Sequence, residues 1–230
     1  MYFRHVPEIW QDFPELVPGV LFATGIDEGV DVEARVAAFT RIAEERLASA
    51  TESEFPEIQA WRRAFSRMSL KPTQYRCAAE ALLRRLRKEG SLPRLHPLVD
   101  LCNAISVVFA TPVAALDVSR IAGGIEVRYA TGDERYQTFA GEVEHPDPNE
   151  VVFADAAGQA HARRWTNRQS GASAVRASTT SVLIVAEALH PAAATDISRL
   201  TATLAAELTA AWSIIPTTAI LTPTSPVFEF

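Results

Sequence analysis

Gly124-Ile125-Glu126-Val127-Arg128-Tyr129-Ala130-Thr131-Gly132-Asp133-Glu134 is the stretch on which the fold turns. Its first seven residues alternate with a period of two, the pattern of a half-buried strand. Residues 131–134 read as a turn, and 136–143 as the returning strand. Residues 145–149 hold two prolines and read as a loop, 150–154 as another strand, and 155–158 as a turn into an extended 159–166. Further on, Thr180-Ser181-Val182-Leu183-Ile184-Val185-Ala186-Glu187 is an apolar run of strand length. Residues 19–23 read as one early strand.

Upstream the period becomes helical. Val32, Val36, Phe39, Ile42 and Ala43 mark a helix over 31–47. Trp61 and Phe65 ride on a short helix begun by Pro56. Tyr75, Ala79, Leu82, Leu83 and Leu86 form a stripe that predicts a helix with Thr73 as its N-cap and Gly90 as its stop. Leu98, Leu101, Ile105 and Val108 mark 98–109, and Ile197, Leu200, Leu204, Leu208 and Ala211 mark a long helix over 195–212. Residues 216–230 contain three prolines and no clear period, so they read as an irregular tail. Helices, then strands, then a closing helix point to the α+β class: N-terminal helices plus a mostly antiparallel central sheet with flanking helices. The expected organisation is a single domain over 1–230, mainly helical over 1–92 and sheet-containing over 93–215.

Apolar residues make up 48% of the 230 positions and charged ones 22%, enough for a sizeable core. Cys77 and Cys102 have no CxxC spacing, and the five histidines show no HxxxH or HxH, which speaks against a metal site. The absence of GxGxxG, Walker and GxSxG patterns speaks against a nucleotide cofactor and a serine elbow. No apolar run reaches about 18 residues and no signal-peptide pattern opens the chain, so a reduced, cytoplasmic setting without a membrane is expected. The net charge of −6 is unevenly spread: residues 61–94 hold ten of the 22 basic side chains against only Glu80 and Glu89. Arg76, Arg84, Arg85, Arg87 and Lys88 are the RNA-binding candidates there. The competing reading is a face that pairs with the chain's own acids.

Arg163-Arg164-Trp165-Thr166-Asn167-Arg168-Gln169-Ser170 is the richest stretch chemically. Arginine forks hold phosphates or carboxylates, an indole offers a stacking face, and amides both donate and accept. Arg164, Trp165 and Gln169 are candidate substrate-binding residues, and Asn167 and Arg168 candidate catalytic ones. His161 shares a strand face with Arg163 and is the histidine to consider as a base. Asn103, Thr179 and Thr180 complete the candidate ligand contacts. The bland alternative is an arginine-rich strand paired with acidic neighbours.

Three segments occur in a recognisable order: Leu98-Val99-Asp100-Leu101-Cys102-Asn103, Asp117 with residues 124–134, and residues 163–170. Together they resemble the editing, tRNA-binding B3/B4 domain of the phenylalanyl-tRNA synthetase beta subunit, and more closely the free-standing proteins built on it. The resemblance implies an α+β fold with a cleft, tRNA or aminoacyl-tRNA as partner, and hydrolysis of the ester of mischarged aminoacyl-tRNA, with the neighbouring ribose hydroxyl able to help; the missing motifs leave no cofactor expected. The sequence departs from the family pattern at three places. Residues 112–116 lack the histidine that precedes the aspartate matching Asp117. Val185 takes the place of a strand-end glutamate, with Glu187 two residues on. The Arg-Arg-Trp segment replaces a glycine-rich turn. A deacylase, a non-catalytic RNA-binding module and a binder or enzyme for a small amino acid-like ligand all remain open. Nothing resembles the catalytic core of a complete synthetase.

Overall fold

Two sheets carry the strands in the computed structural model, which describes residues 1–230. In chain order the elements are β1 (Tyr2–His5), α1 (Pro7–Asp12), β2 (Val17–Thr24), α2 (Glu33–Ser49), α3 (Pro56–Arg67), α4 (Ala78–Glu89), α5 (Pro97–Phe109), β3 (Val113–Asp117), β4 (Gly124–Tyr129), β5 (Arg135–Gln137), β6 (Val143–Glu144), β7 (Val151–Asp155), β8 (Gln159–Arg163), β9 (Arg168–Gln169), β10 (Ser181–Ala188), α6 (Ala193–Trp212), β11 (Thr217–Ile220) and β12 (Val227–Glu229). The α+β class holds, but the single central sheet is replaced by an eight-stranded and a four-stranded one.

The four-stranded sheet runs β11-β2-β10-β3 and is antiparallel throughout. β10 lies between β2 and β3, and seven of its eight residues are buried, which is why its sequence is a continuous apolar run. α6 packs on β2 so closely that a Cβ at Gly19 would sit 2.5 Å from Thr201 Oγ1 and 2.8 Å from Ile197 Cγ2. Glycine is required there by the approach of the helix. One cluster of 54 buried apolar residues runs from Phe3 to Phe228. No helix is long and apolar enough to cross a membrane.

The eight-stranded sheet runs β12-β1-β4-β7-β8-β5-β6, with β9 on β8. β4 pairs with β1 and β7, not with the strand that follows it. Residues 131–134 therefore do not close a simple hairpin. Glu134 folds that loop on itself: its carboxylate accepts from the Thr131 and Gly132 backbone N–H groups and from Arg128. The expected strand over 136–143 divides into β5 and β6 around a tight turn in which Thr138 N donates to Glu142 O. The tail expected to be irregular supplies β11 and β12, which pair with β2 and β1. Strands of three or four residues are too short to show a period, and all three prolines fall outside them. Thr73 is not the N-cap of α4; Cys77 holds that position. The helix starts late because residues 76–78 are tied to a distant segment, Asn167 Nδ2 donating to Arg76 O and Ala78 N to Thr166 O.

Although burial pushes Glu134 upward, the Thr131 N–H and the Arg128 guanidinium outweigh it and hold the carboxyl down at about 2. A depressed carboxyl contributes stability above its unfolded value, ordinarily 4.5, and that contribution is lost as pH falls toward 2. Glu134→Gln is therefore expected to lower Tm at pH 7, with a gap to wild type that closes between pH 4.5 and 2. A gap independent of pH would show that the charge contributes nothing.

Candidate functional site

β8 ends at Arg163, and the chain turns sharply before returning as β9. Arg164 (φ 48°) and Trp165 (φ 57°) both adopt the left-handed conformation, which costs a non-glycine residue about 1–3 kcal/mol. The surroundings offset that cost. Trp165 N donates to Val151 O at 2.7 Å, and its indole is fully buried, edge-on to Phe13 (4.8 Å) and Trp61 (5.1 Å). The indole Nε1 donates to Glu187 Oε1 at 3.0 Å. Trp165 thus anchors the turn in the core and presents no free stacking face. The extended course expected through 166 ends at Arg163 instead, and the turn arises because the indole is drawn inward.

The arginines of this segment face acids of their own chain. Arg163 is buried, donates through Nε and Nη2 to Glu150 (3.0 and 2.7 Å) and through Nη1 to Glu144 (2.7 Å). Arg168, opposite it across β8 and β9, also reaches Glu144 (3.2 Å), and both guanidinium groups lie near the Tyr136 ring. Arg164 sits 4.7 Å from the Tyr75 ring and 3.3 Å from Glu150. Burial pushes Glu150 upward, but Arg163 and Arg164 hold it below the usual carboxylate range.

Beside this turn lies a two-part cleft. Its inner recess, about 60 Å³, is walled by Pro112, Ala114, Ala162, Arg168 and Val185, with Glu187 in its lining. The outer chamber, about 510 Å³, is walled by Leu82, Val99, Asn103, Phe139, Ala174 and Val175. Ala78, Val113, Asn167 and Gln169 line both parts. The three departures from the B3/B4 pattern, at 112–116, at Val185 and in the Arg-Arg-Trp segment, thus meet in one recess.

A few polar groups converge on these apolar walls. Gln169 Nε2 donates to Ala115 O and Asn167 Nδ2 to Arg76 O, which leaves each amide oxygen available. Asn103 makes no side-chain hydrogen bond within the protein, so both ends of its amide are available to a ligand. Glu187 receives two donors on one oxygen, Trp165 Nε1 and His5 Nε2 (2.6 Å), and its other oxygen has no partner in the chain. Cys102 also lines the chamber, but burial pushes its thiol up to about 12, so it is no nucleophile near neutrality.

Other candidates lie elsewhere. His161 is fully buried, its Nε2 3.2 Å from Asp155 Oδ2, and it lines neither part of the cleft. Burial lowers its pKa against the pull of Asp155. It tightens β8 rather than facing a ligand. Thr179 is buried and donates to Asp117 Oδ2, while Thr180 is exposed and outside the cleft. On the basic segment Arg76 meets Glu80, Arg84 and Arg87 meet Glu52, and Arg85 meets Glu89. Of the five RNA-binding candidates only Lys88 has no acidic partner. α4 does adjoin the Arg-Arg-Trp turn, but through its N-terminus and the apolar Ala78, Ala81 and Leu82 rather than through its cations. Elsewhere, Glu57, His190 and Asp196 bring donor atoms within 4.8 Å, yet Arg46 already grips both Glu57 oxygens.

Sequence reasoning does not single out Glu187, His5 or Phe139 as site residues. Glu187 is signalled as the one charged residue in an otherwise apolar run and as the carboxylate two residues beyond the place of the strand-end glutamate. His5 is 182 positions away, and no local pattern connects the two.

The fold and cleft define an α+β protein with two adjoining, largely apolar recesses, the smaller of which has the buried Glu187 carboxylate in its lining. A family model described as the B3/4 domain matches residues 60–206, and the chain belongs to that family. Similar proteins include phenylalanine--tRNA ligase beta subunits from Coxiella burnetii (45% identical over 51 residues, 22% of this chain and 6% of that protein) and Legionella pneumophila strain Lens (37% over 71 residues, 31% and 9%). That of Nocardia farcinica is 33% identical over 111 residues, 48% of this chain and 13% of its own length. The chain therefore matches only a small part of each relative. Among solved structures, an N-terminal fragment of the phenylalanyl-tRNA synthetase beta subunit from Pyrococcus horikoshii aligns with a TM-score of 0.47 at 10% identity, over 93% of this chain and 49% of that one.

Proposed function

We propose that residues 1–230 act as a free-standing, cytoplasmic B3/4-type unit that binds the aminoacyl end of tRNA and hydrolyses the ester of mischarged aminoacyl-tRNA. The observation that carries this reading is the two-part cleft with Glu187 in its recess. The outer chamber has room for an aminoacyl ester, since ligand pockets run from about 300 to 1,000 Å³. The free amide oxygens of Asn167 and Gln169 accept from the ammonium or hydroxyl groups of that ester, and the unpartnered Asn103 amide donates to its carbonyl. The recess, large enough for a small side chain or a few waters, places the free Glu187 oxygen against a hydroxyl, an ammonium or the attacking water. The ribose hydroxyl next to the ester supplies the remaining acid–base help.

One observation favours a second reading, RNA or amino-acid binding without catalysis: none of the five histidines lines the cleft. Deacylation of a panel of mischarged tRNAs separates the two. Wild type is expected to clear at least one substrate. Asn103→Ala is expected to lower kcat/KM by about 3- to 10-fold, the value of one uncharged hydrogen bond. No turnover on any substrate, with salt-sensitive tRNA binding, would leave the binding module. Neither turnover nor tRNA binding would leave a small amino acid-like ligand.

A further inference from the structure

The most exposed aromatic ring of the protein stands at the cleft. Phe139 is 73% exposed and lines the outer chamber, as does Leu95 at 71%. Among the large apolar side chains left to solvent it is the one aromatic. Its backbone is nevertheless firmly held. Thr138 N donates to Glu142 O (2.8 Å), Gly141 N to Thr138 O (3.0 Å) and Glu142 N to Thr138 Oγ1 (3.1 Å). From the other side Gly171 N donates to Gln137 O (2.8 Å), and a Cβ at Gly171 would come within 2.8 Å of Thr138 O and 3.3 Å of Phe139 Cα. Phe139 and Leu95 join Leu82, Val99 and Val175 of the same chamber in one apolar patch open to solvent, the kind of surface that marks a binding site.

Two arginines adjoin chamber residues in sequence. Arg176 follows the chamber residues Ala174 and Val175, is exposed, and has no carboxylate partner; one guanidinium nitrogen donates to Gly171 O at 3.1 Å. Arg94 lies between the chamber residues Pro93 and Leu95 and is only loosely paired, 3.5 Å from Asp100 and 3.9 Å from Glu33. Glu142, on the Phe139 turn, is the nearest acid in sequence, and it is exposed. A flat apolar ring beside an unpaired guanidinium matches a nucleobase and its phosphate, which single-strand binding sites recognise through stacking and backbone charge.

We propose that Phe139 stacks on the terminal adenine of tRNA and that Arg176 takes the phosphate next to it, so that the cleft mouth, and not the basic face of α4, is the RNA contact. This rests on the reading of the cleft as an aminoacyl-tRNA site and names the group that holds the nucleotide there. The arginines of α4 are committed to Glu52 and Glu89, whereas Arg176 has no carboxylate partner.

The experiment is a double cycle with uncharged acceptor-stem minihelices, one ending in adenosine and one whose terminal nucleotide is abasic. Wild type is expected to bind the adenosine form roughly 5- to 100-fold more tightly, the range for one base stacked on an aromatic ring. Phe139→Ala should lose that preference, Phe139→Trp should keep it, and Arg176→Gln should weaken both minihelices equally while making the salt dependence shallower. Because Phe139 and Arg176 are exposed, these variants should fold as wild type does. A Phe139→Ala protein that still discriminates adenosine from the abasic end would overturn the stacking assignment and leave the cleft reading intact. The same holds if wild type binds both minihelices equally. If wild type binds neither minihelix at any salt, the RNA reading itself fails. Loss of self-association in Phe139→Ala with unchanged adenosine discrimination would assign the ring to a second copy of the chain instead.

Discussion

Glu187→Gln is expected to cut deacylation by about 100-fold, the scale on which removal of one positioned charged or oxyanion-binding group acts, while leaving the fold nearly unchanged. The glutamine oxygen can still accept from Trp165 Nε1 and His5 Nε2, so the buried contacts behind the recess survive. What changes is the face toward the recess, where a carboxylate oxygen becomes an amide that donates. Glu187→Ala behaves differently. It leaves an indole N–H and an imidazole N–H buried without an acceptor, so stability falls by about 1–3 kcal/mol for each, in addition to the lost activity. Tm and kcat measured on both variants separate the two effects. Wild-type turnover in Glu187→Gln would remove this carboxylate from the mechanism and return attention to the ribose hydroxyl and the Asn103, Asn167 and Gln169 amides.

The second large effect is structural. Arg163→Ala is expected to destabilise the protein by about 3 kcal/mol or more, because it strands the buried Glu150 carboxylate. Arg164, 3.3 Å from Glu150, offsets part of that loss and keeps the figure toward the lower end of the range for broken buried pairs. In the double variant Arg163→Ala, Glu150→Ala the loss should be smaller than the sum of the singles, read from urea unfolding midpoints at constant slope. A change under about 1 kcal/mol in Arg163→Ala would mean that the pair is effectively solvated.

Several features of this protein are legible in the order of its residues alone. The apolar run at 180–187, the helical stripes and the glycine stop at Gly90 produce elements where expected, because each rests on near-neighbour periodicity that burial on one or two faces imposes. The B3/4 family is visible from motif order, and residues 60–206 match its model. Within the cleft, Asn103, Trp165 to Gln169 and the altered positions 112–115 and 185 stand out by their chemistry or against the family pattern, while Arg164 lines neither part.

What the residues do not disclose depends on partners far along the chain. Trp165 reads as a stacking platform when judged by type, yet it is buried because Phe13, Trp61 and Glu187 surround it from distant elements. The arginines of α4 read as an anion-binding face, yet Glu52, more than thirty positions upstream, reaches Arg84 and Arg87. Phe139 falls inside the strand expected over 136–143, yet the turn pinned by Gly171 keeps it in water. Periodicity and composition therefore determined which segments fold and into what class, since those are set by local sterics and by the need to bury apolar faces. Which charges are cancelled, which aromatic is free and which carboxylate ends the cleft were decided only when tertiary packing placed residues more than a hundred positions apart within hydrogen-bond distance, as it does for His5 and Glu187.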